Sequence, residues 1–138
     1  MMLLLDSEAL SATAHGPAHR RLAVRSLMAV ARRQEDPIGT AAAVLAEVIR
    51  GRPADAGIFA ALRRERIVVV PVDEDVAVRA GRLLGAIGAG SEHAVDAFLV
   101  AVADLTGGIA VIATSDVEDI ERLASHCRSV EVASINAG

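Results

Sequence analysis

The 138-residue sequence predicts an α/β domain in which a central parallel sheet of four to five strands is covered by helices on both faces. Three observations carry this. Short aliphatic runs alternate with longer stretches of helical periodicity. The strand-length runs are apolar at successive positions, and therefore on both faces, as in parallel strands buried from both sides. Finally, 138 residues with 53% apolar content suit one domain over 1–138, able to bury about two-thirds of its unfolded surface.

The elements follow in order. Met2 to Leu5 is an apolar run of strand length, ended by Asp6. Residues 17–35 read as a helix with Pro17 in its first turn, Ala23, Leu27 and Val30 on one face and Arg21, Arg25 and Arg32 opposite. After the break at Asp36-Pro37, Ile38 to Thr40 is a short strand. Val44, Leu45, Val48 and Ile49 recur at helical spacing until Gly51 and Pro53 stop them. A helix over 54–64 precedes the strand Ile67 to Val70.

Val76, Ala80, Leu83 and Ile87 mark the next helix, with Asp73, Glu74 and Asp75 at its positive N-terminal end. Residues 85–90, rich in glycine, read as a loop. Ser91 then reads as the N-cap of a helix running to Thr106, apolar nearly all round and so buried. Gly107-Gly108 turns into the strand Ile109 to Ala113. Thr114-Ser115-Asp116 opens a helix to His126, and Val130 to Val132 is the last strand. The chain shows no internal repeat, low-complexity tract or linker.

Composition removes several functional classes. The one cysteine, Cys127, excludes a disulfide scaffold and a multi-cysteine zinc module, and suits a reducing compartment. With only Phe59 and Phe98 as aromatics, capture of RNA by base stacking is excluded. A formal charge of −4 argues against bulk electrostatic capture of nucleic acid. Met1 to Leu5 lacks a basic leader, and the apolar stretch 94–105 is interrupted by Asp96 and Asp104. No membrane segment or secretion signal is therefore expected, and the location expected is cytoplasmic.

The informative residues are acids. In an open parallel sheet, ligands bind beyond the carboxyl ends of the strands. Asp6 lies at that end of the first strand and Asp116 just beyond that end of the Ile109 strand. Glu47 is on the helix after the second strand, and Asp96 is about one turn into the buried helix. A carboxylate inside so apolar a helix is costly unless paired or coordinating. Gathered at one sheet edge, such acids repel one another unless a cation intervenes, and hard oxygen ligands suit Mg²⁺ or Mn²⁺. Each acid also has a structural explanation. Asp6 caps a following turn, Asp116 complements a helix N-terminus, Ser115 and Glu118 form a capping box, Glu47 is solvated, and Asp96 pairs with an arginine. Taken singly these roles are the commoner ones, and only the joint placement favours a metal site.

Four segments then resemble the PIN-domain nucleases. They are Leu3-Leu4-Leu5-Asp6-Ser7, Leu45-Ala46-Glu47-Val48 with Gly51, the run from His93 through Asp96 to Ala103, and Ile112-Ala113-Thr114-Ser115-Asp116 with Asp119. Order, spacing and length are most similar to the VapC toxins of bacterial type II toxin–antitoxin pairs, and the resemblance spans residues 2 to about 132. It implies a PIN-like three-layer domain and a Mg²⁺-dependent endoribonuclease (Mn²⁺ as the alternative ion) that cuts tRNA or ribosomal RNA. It further implies neutralisation by a VapB-like antitoxin, and a homodimer. Carried over, Asp6, Glu47, Asp96 and Asp116 form the catalytic acidic site. Asp6 and Asp96 are the most direct metal ligands, and Asp119 helps to hold a second metal. Ser7, Thr114 and Ser115 would orient these carboxylates. Glu8 departs from the pattern, which usually has a small residue there.

All 14 basic residues are arginine, and ten of them cluster at 20–33 and 50–66. A solvated helix face is the simpler explanation, with phosphate contacts or an acidic antitoxin tail as functional ones. Asp75 and Arg79 stand one turn apart and are expected to pair. His15, His19, His93 and His126 show no ligand spacing, and Cys127 lacks a basic neighbourhood, so none is expected to be catalytic. Two other classes compete with the nuclease. One is a catalytically silent PIN-like protein-binding module. The other is a phosphoryl-transfer domain with Asp6 as nucleophile, which the absence of lysine weakens.

Overall fold

The computed structural model describes residues 1–136, so the last two residues of the expected domain lie outside it. The strands are β1 (Met2–Leu5), β2 (Ile38–Ala41), β3 (Val68–Val70), β4 (Ala110–Thr114) and β5 (Val130–Ser134). All pair in parallel in the order β3-β2-β1-β4-β5. The helices are α1 (Ser7–Ser11), α2 (Ala18–Arg33), α3 (Ala42–Val48), α4 (Asp55–Arg64), α5 (Glu74–Ala86), α6 (Ala94–Asp104) and α7 (Val117–Ala124). A five-strand parallel sheet flanked by helices is the predicted class.

The strand order sets where a ligand can enter. From β1 the chain builds outward through β2 and β3, then crosses back to place β4 on the other side of β1. The loops leaving β1 and β4 therefore diverge, opening a crevice at the carboxyl edge between them. Register makes the two strands end together. Leu5 is opposite Ala113, and the Asp6 N–H donates to the Ala113 carbonyl at 3.1 Å. On the other side of β1, the buried Thr40 hydroxyl donates to the Leu5 carbonyl at 2.7 Å.

Beneath this edge lies an aliphatic core. Leu4, Leu5 and Ile112 from the sheet, Leu10, Val24, Ile58 and Leu83 from the helices, and Leu99 of α6 are fully or almost fully buried. At roughly 1.5–3 kcal/mol for each large side chain removed from water, this burial is the main term opposing chain entropy. Helix α6 runs at the centre of the packing with Ala97, Leu99, Val100, Ala101, Val102 and Ala103 all buried, as its all-round apolarity predicts.

Several local expectations need correction. Helix α1 replaces what reads as a mere turn; it forms because the Asp6 carboxylate caps the Ala9 N–H at 2.8 Å. Pro17 stands at the N-cap of α2 instead of inside its first turn. The buried face of α2 is Val24, Met28 and Ala31, one residue round from the predicted Ala23, Leu27 and Val30; Val30 is exposed. Gly85 and Ala86 belong to α5. Ser91 starts a short 3₁₀ turn over Ser91–His93, and α6 begins at Ala94 without a side-chain cap. The capping box at Ser115 and Glu118 is not formed, because Asp116 is itself the N-cap of α7. Arg79 does not pair with Asp75. Its Nε donates to Asp104 at 2.7 Å, joining α5 to α6. It also approaches Cys127 Sγ at 3.9 Å, yet burial, helped by Asp104, pushes that thiol pKa up, so a packed thiol remains the description.

Candidate functional site

Each predicted acid reaches the crevice from a different element. Asp6 follows β1 and caps α1; Glu47 lies in the last turn of α3; Asp96 is in the first turn of α6; Asp116 follows β4 at the N-cap position of α7, with its carboxylate making no capping hydrogen bond. Together with Ser7, Glu8, Arg50 and Ser115, these four carboxylates line one open cleft. Asp119, in the first turn of α7, is outside that lining, but its charge raises the pKa of both Asp96 and Asp116.

Hydrogen bonds hold the cleft from behind. The Ser7 hydroxyl donates to the Glu47 carboxylate, tying α1 to α3. The buried Thr114 hydroxyl accepts from the Asp116 N–H at 2.8 Å and shapes the turn out of β4. The Ser115 carbonyl accepts from Asn136 Nδ2 at 2.6 Å. Ser7 and Thr114 thus bond directly to an acid's side chain or backbone, whereas Ser115 is held through its own carbonyl and, among the described residues, its hydroxyl bonds to none of the acids.

Electrostatics shows the cost of this arrangement. Asp6 is 6% exposed, and burial raises its pKa against the lowering influence of Thr114 and the Ala9 N–H. Asp96 is pushed up to about 6, first by burial and then by repulsion from Asp6, Asp116, Glu47 and Asp119. Burial, followed by the adjoining Asp119 carboxyl, raises Asp116 as well. Asp96 makes no side-chain hydrogen bond or ion pair among the described residues, so the arginine partner that would make it structural is missing. Arg50 is at the rim, but its guanidinium donates to the Glu47 carbonyl at 2.8 Å.

The donors are oxygens only, which fits a hard divalent cation. No three His, Cys, Asp or Glu side chains among the described residues close into a preformed cage. An open rim still suits an ion that keeps several waters and takes few protein ligands.

A family model for the PIN domain matches residues 3–125. The chain belongs to the PIN-domain family. No curated protein sequence matches it significantly. Among solved structures, this PIN domain superposes on a chain of VapBC2 from Rickettsia felis, solved bound to a DNA fragment from its promoter. The TM-score is 0.71 at 13% identity, covering 97% of this chain and 98% of that one. DNA-bound VapBC from Salmonella typhimurium gives a TM-score of 0.66 at 17% identity, with 98% of each chain covered. FitAcB from Neisseria gonorrhoeae gives 0.66 at 18% identity, covering 99% of this PIN domain and 100% of that chain.

Two features of the site escape sequence reasoning. Glu8, which departs from the family pattern, is matched by Arg20, whose Nη1 lies 3.2 Å from its carboxylate. Arg20 Nε also donates to Asn136 Oδ1 at 3.1 Å, linking α2 to the residue that holds Ser115. The separation of Arg20 and Asn136 in sequence offered no signal for this link. His93 also comes near the acids, its Nδ1 4.0 Å from Asp119 outside the cleft lining.

Proposed function

We propose that this PIN domain is a divalent-metal-dependent endoribonuclease, the toxin of a type II toxin–antitoxin pair. The observation that carries the reading is the convergence of Asp6, Glu47, Asp96 and Asp116 from four elements on one cleft at the strand-order switch. Without a cation their mutual repulsion only costs stability, so a cation-binding role accounts for their retention together. Asp6 and Asp96 would hold Mg²⁺, or Mn²⁺ in its place. Glu47 and Asp116 would complete the site directly or through water, and Asp119 would support a second ion. Such an ion lowers the pKa of water and stabilises charge on a phosphate and its leaving oxygen.

The chain's own residues prepare this chemistry. Ser7 orients Glu47, and Thr114 fixes the turn that carries Asp116. The cap to Ala9 holds one Asp6 oxygen and sets the direction of the other. The product expected is an RNA cut at a phosphodiester bond by water. A VapB-like antitoxin as partner is supported by the VapBC and FitAcB likenesses. A homodimer is supported by exposed Leu22, Phe59, Val78 and Leu105. Sedimentation of the protein freed of antitoxin tests this, and a concentration-independent monomer would count against it. Among the described residues no helix is long and apolar enough to cross a membrane. A cytoplasmic site of action follows from the RNA substrate proposed.

The test is total cellular RNA incubated with purified wild type and Asp96→Asn, each with Mg²⁺ and with a chelator. Cutting by wild type only, and only with the ion, is the expected result. No cutting by wild type in Mg²⁺ or Mn²⁺ overturns the nuclease and leaves a silent protein-binding module.

A further inference from the structure

An acidic cleft repels the phosphates of the RNA it is proposed to cut, so strand-binding energy has to come from beside it. Stacking offers little, since Phe59 and Phe98 are the only aromatics and Phe98 is half-buried. An arginine-lined surface on α2 is available instead. A cavity of about 110 Å³ lies between α2 and α4, ringed by Arg21, Arg25, Arg32 and Arg64, with Glu65 the one acid in its lining. Arg32 and Arg64 both bind that carboxylate. Arg21 and Arg25 are exposed and have no carboxylate within 4.0 Å among the described residues, in a chain of net charge −4.

Position relates this cavity to the cleft. Arg20, the neighbour of Arg21, grips Glu8 at 3.2 Å, and Glu8 lines the cleft. The N-terminal end of α2 is thus fastened to the cleft rim, and the arginine stripe descends from there. Arg21 and Arg25 are one turn apart, roughly 6 Å along the helix axis. The floor is contributed by Ala12 to Ala14, just past α1, the helix that Asp6 caps.

We propose that Arg21 and Arg25 form a phosphate subsite for the RNA strand where it leaves the acidic cleft. This rests on the nuclease reading for its substrate class. It explains how a protein acidic overall holds a polyanion: the guanidiniums bind phosphates bidentately on a helix tied to the cleft rim through Arg20. An acidic protein segment is the competing occupant. The tie from Arg20 to Glu8 at the cleft rim and the one-turn charge spacing favour a nucleic-acid strand.

Binding of a fluorescent single-stranded RNA to the Asp96→Asn protein, which is not expected to cut it, is measured by anisotropy across a salt series in Mg²⁺. Adding Arg21→Gln and Arg25→Gln is expected to weaken binding about tenfold at low salt. It should also reduce the slope of log affinity against log salt by about 1.4, or roughly 0.7 for each of two phosphates. Arg21→Lys with Arg25→Lys should restore most of the slope. Arg82→Gln with Arg128→Gln, away from the cavity, should leave the slope near the parent value. An unchanged slope in the glutamine pair, or an equal loss in the distant pair, overturns the subsite. So does binding of polyglutamate, with no RNA binding, through the same two arginines. Thermal melts separate any loss of fold. Because the assay reads binding alone, failure of wild type to cut RNA would sink the nuclease reading and leave this measurement decisive for the subsite.

Discussion

Asp96 is the residue whose environment most clearly separates function from stability. Its pKa of about 6 in the folded chain stands above the ordinary 3.8. Between those values the folded state holds more protons than the unfolded one, so stability falls as pH rises from about 4 to 6. Above about 6 the penalty is fully present. Asp96→Asn is therefore expected to raise the melting temperature of metal-free protein by a few degrees at pH 7.5, and to give no gain at pH 4. Under the proposed nuclease function, the same substitution is expected to lower RNA cleavage by on the order of 100-fold or more, as the loss of a proposed metal ligand. Scanning calorimetry in chelator decides the first part, and a lower melting temperature at pH 7.5 would contradict it. A second consequence concerns protons. Asp96 still holds part of its proton near pH 6, and burial raises the Asp6 pKa as well, so an arriving cation must displace protons there. Titration calorimetry in two buffers of different ionisation enthalpy should show proton release on Mg²⁺ binding, absent at pH 8.

At the scale of elements, the cleft depends on how tightly β1, β2 and β3 approach. A Cβ added at Gly39 of β2 would meet Met2 Cε at 2.6 Å and the Val68 carbonyl oxygen at 2.9 Å. Met2 can swing away, but the Val68 oxygen is main chain, so β3 would have to shift. Gly39→Ala is expected to cost about 1–3 kcal/mol as an overpacking change, read as a lower urea midpoint at unchanged slope. A different glycine serves the exit from α3. Gly51 has φ of +73°, and the N–H groups of Arg50, Gly51 and Arg52 converge on the Asp55 carboxylate at 2.7–3.2 Å. Those hydrogen bonds hold the Asp55 pKa below its ordinary value and fix the turn that follows α3, which ends at Val48, the residue after Glu47. The left-handed turn thus fixes the length of the helix that carries a site acid.

For the whole molecule, the strand order creates a place where charges from distant segments are forced together. A ligand that relieves this repulsion must stabilise the fold by mass action, by about 2.7 kcal/mol at 100 times its Kd. Mg²⁺ is accordingly expected to raise the melting temperature of wild type, and to leave the Asp6→Asn/Asp96→Asn double variant unmoved. An equal rise in both would mean that the ion binds elsewhere.

Much of this was legible from the chain alone, because one-dimensional patterns carry it. Met2 to Leu5 matches β1 in both bounds, and the apolar surface of α6 announces its burial. The four acids stand out because Asp6 and Asp116 end strands and Asp96 interrupts an apolar helix. Local competition was harder to read. Ser91 has the chemistry of a helix cap, yet the backbone there makes a 3₁₀ turn, and the face of α2 rotated by one residue to meet the core. Pairing was least legible, since Arg79 chose Asp104 over the nearer Asp75, and Glu8 found Arg20. The sequence by itself determined the α/β class, the order of elements and the acids that end or interrupt them, because periodicity and charge are local properties. Only the tertiary structure decided that β4 returns beside β1, that Asp96 is left without a counter-charge, and that Arg21 and Arg25 descend from the cleft rim. Those outcomes depend on distances between segments far apart in the chain, which no local pattern encodes.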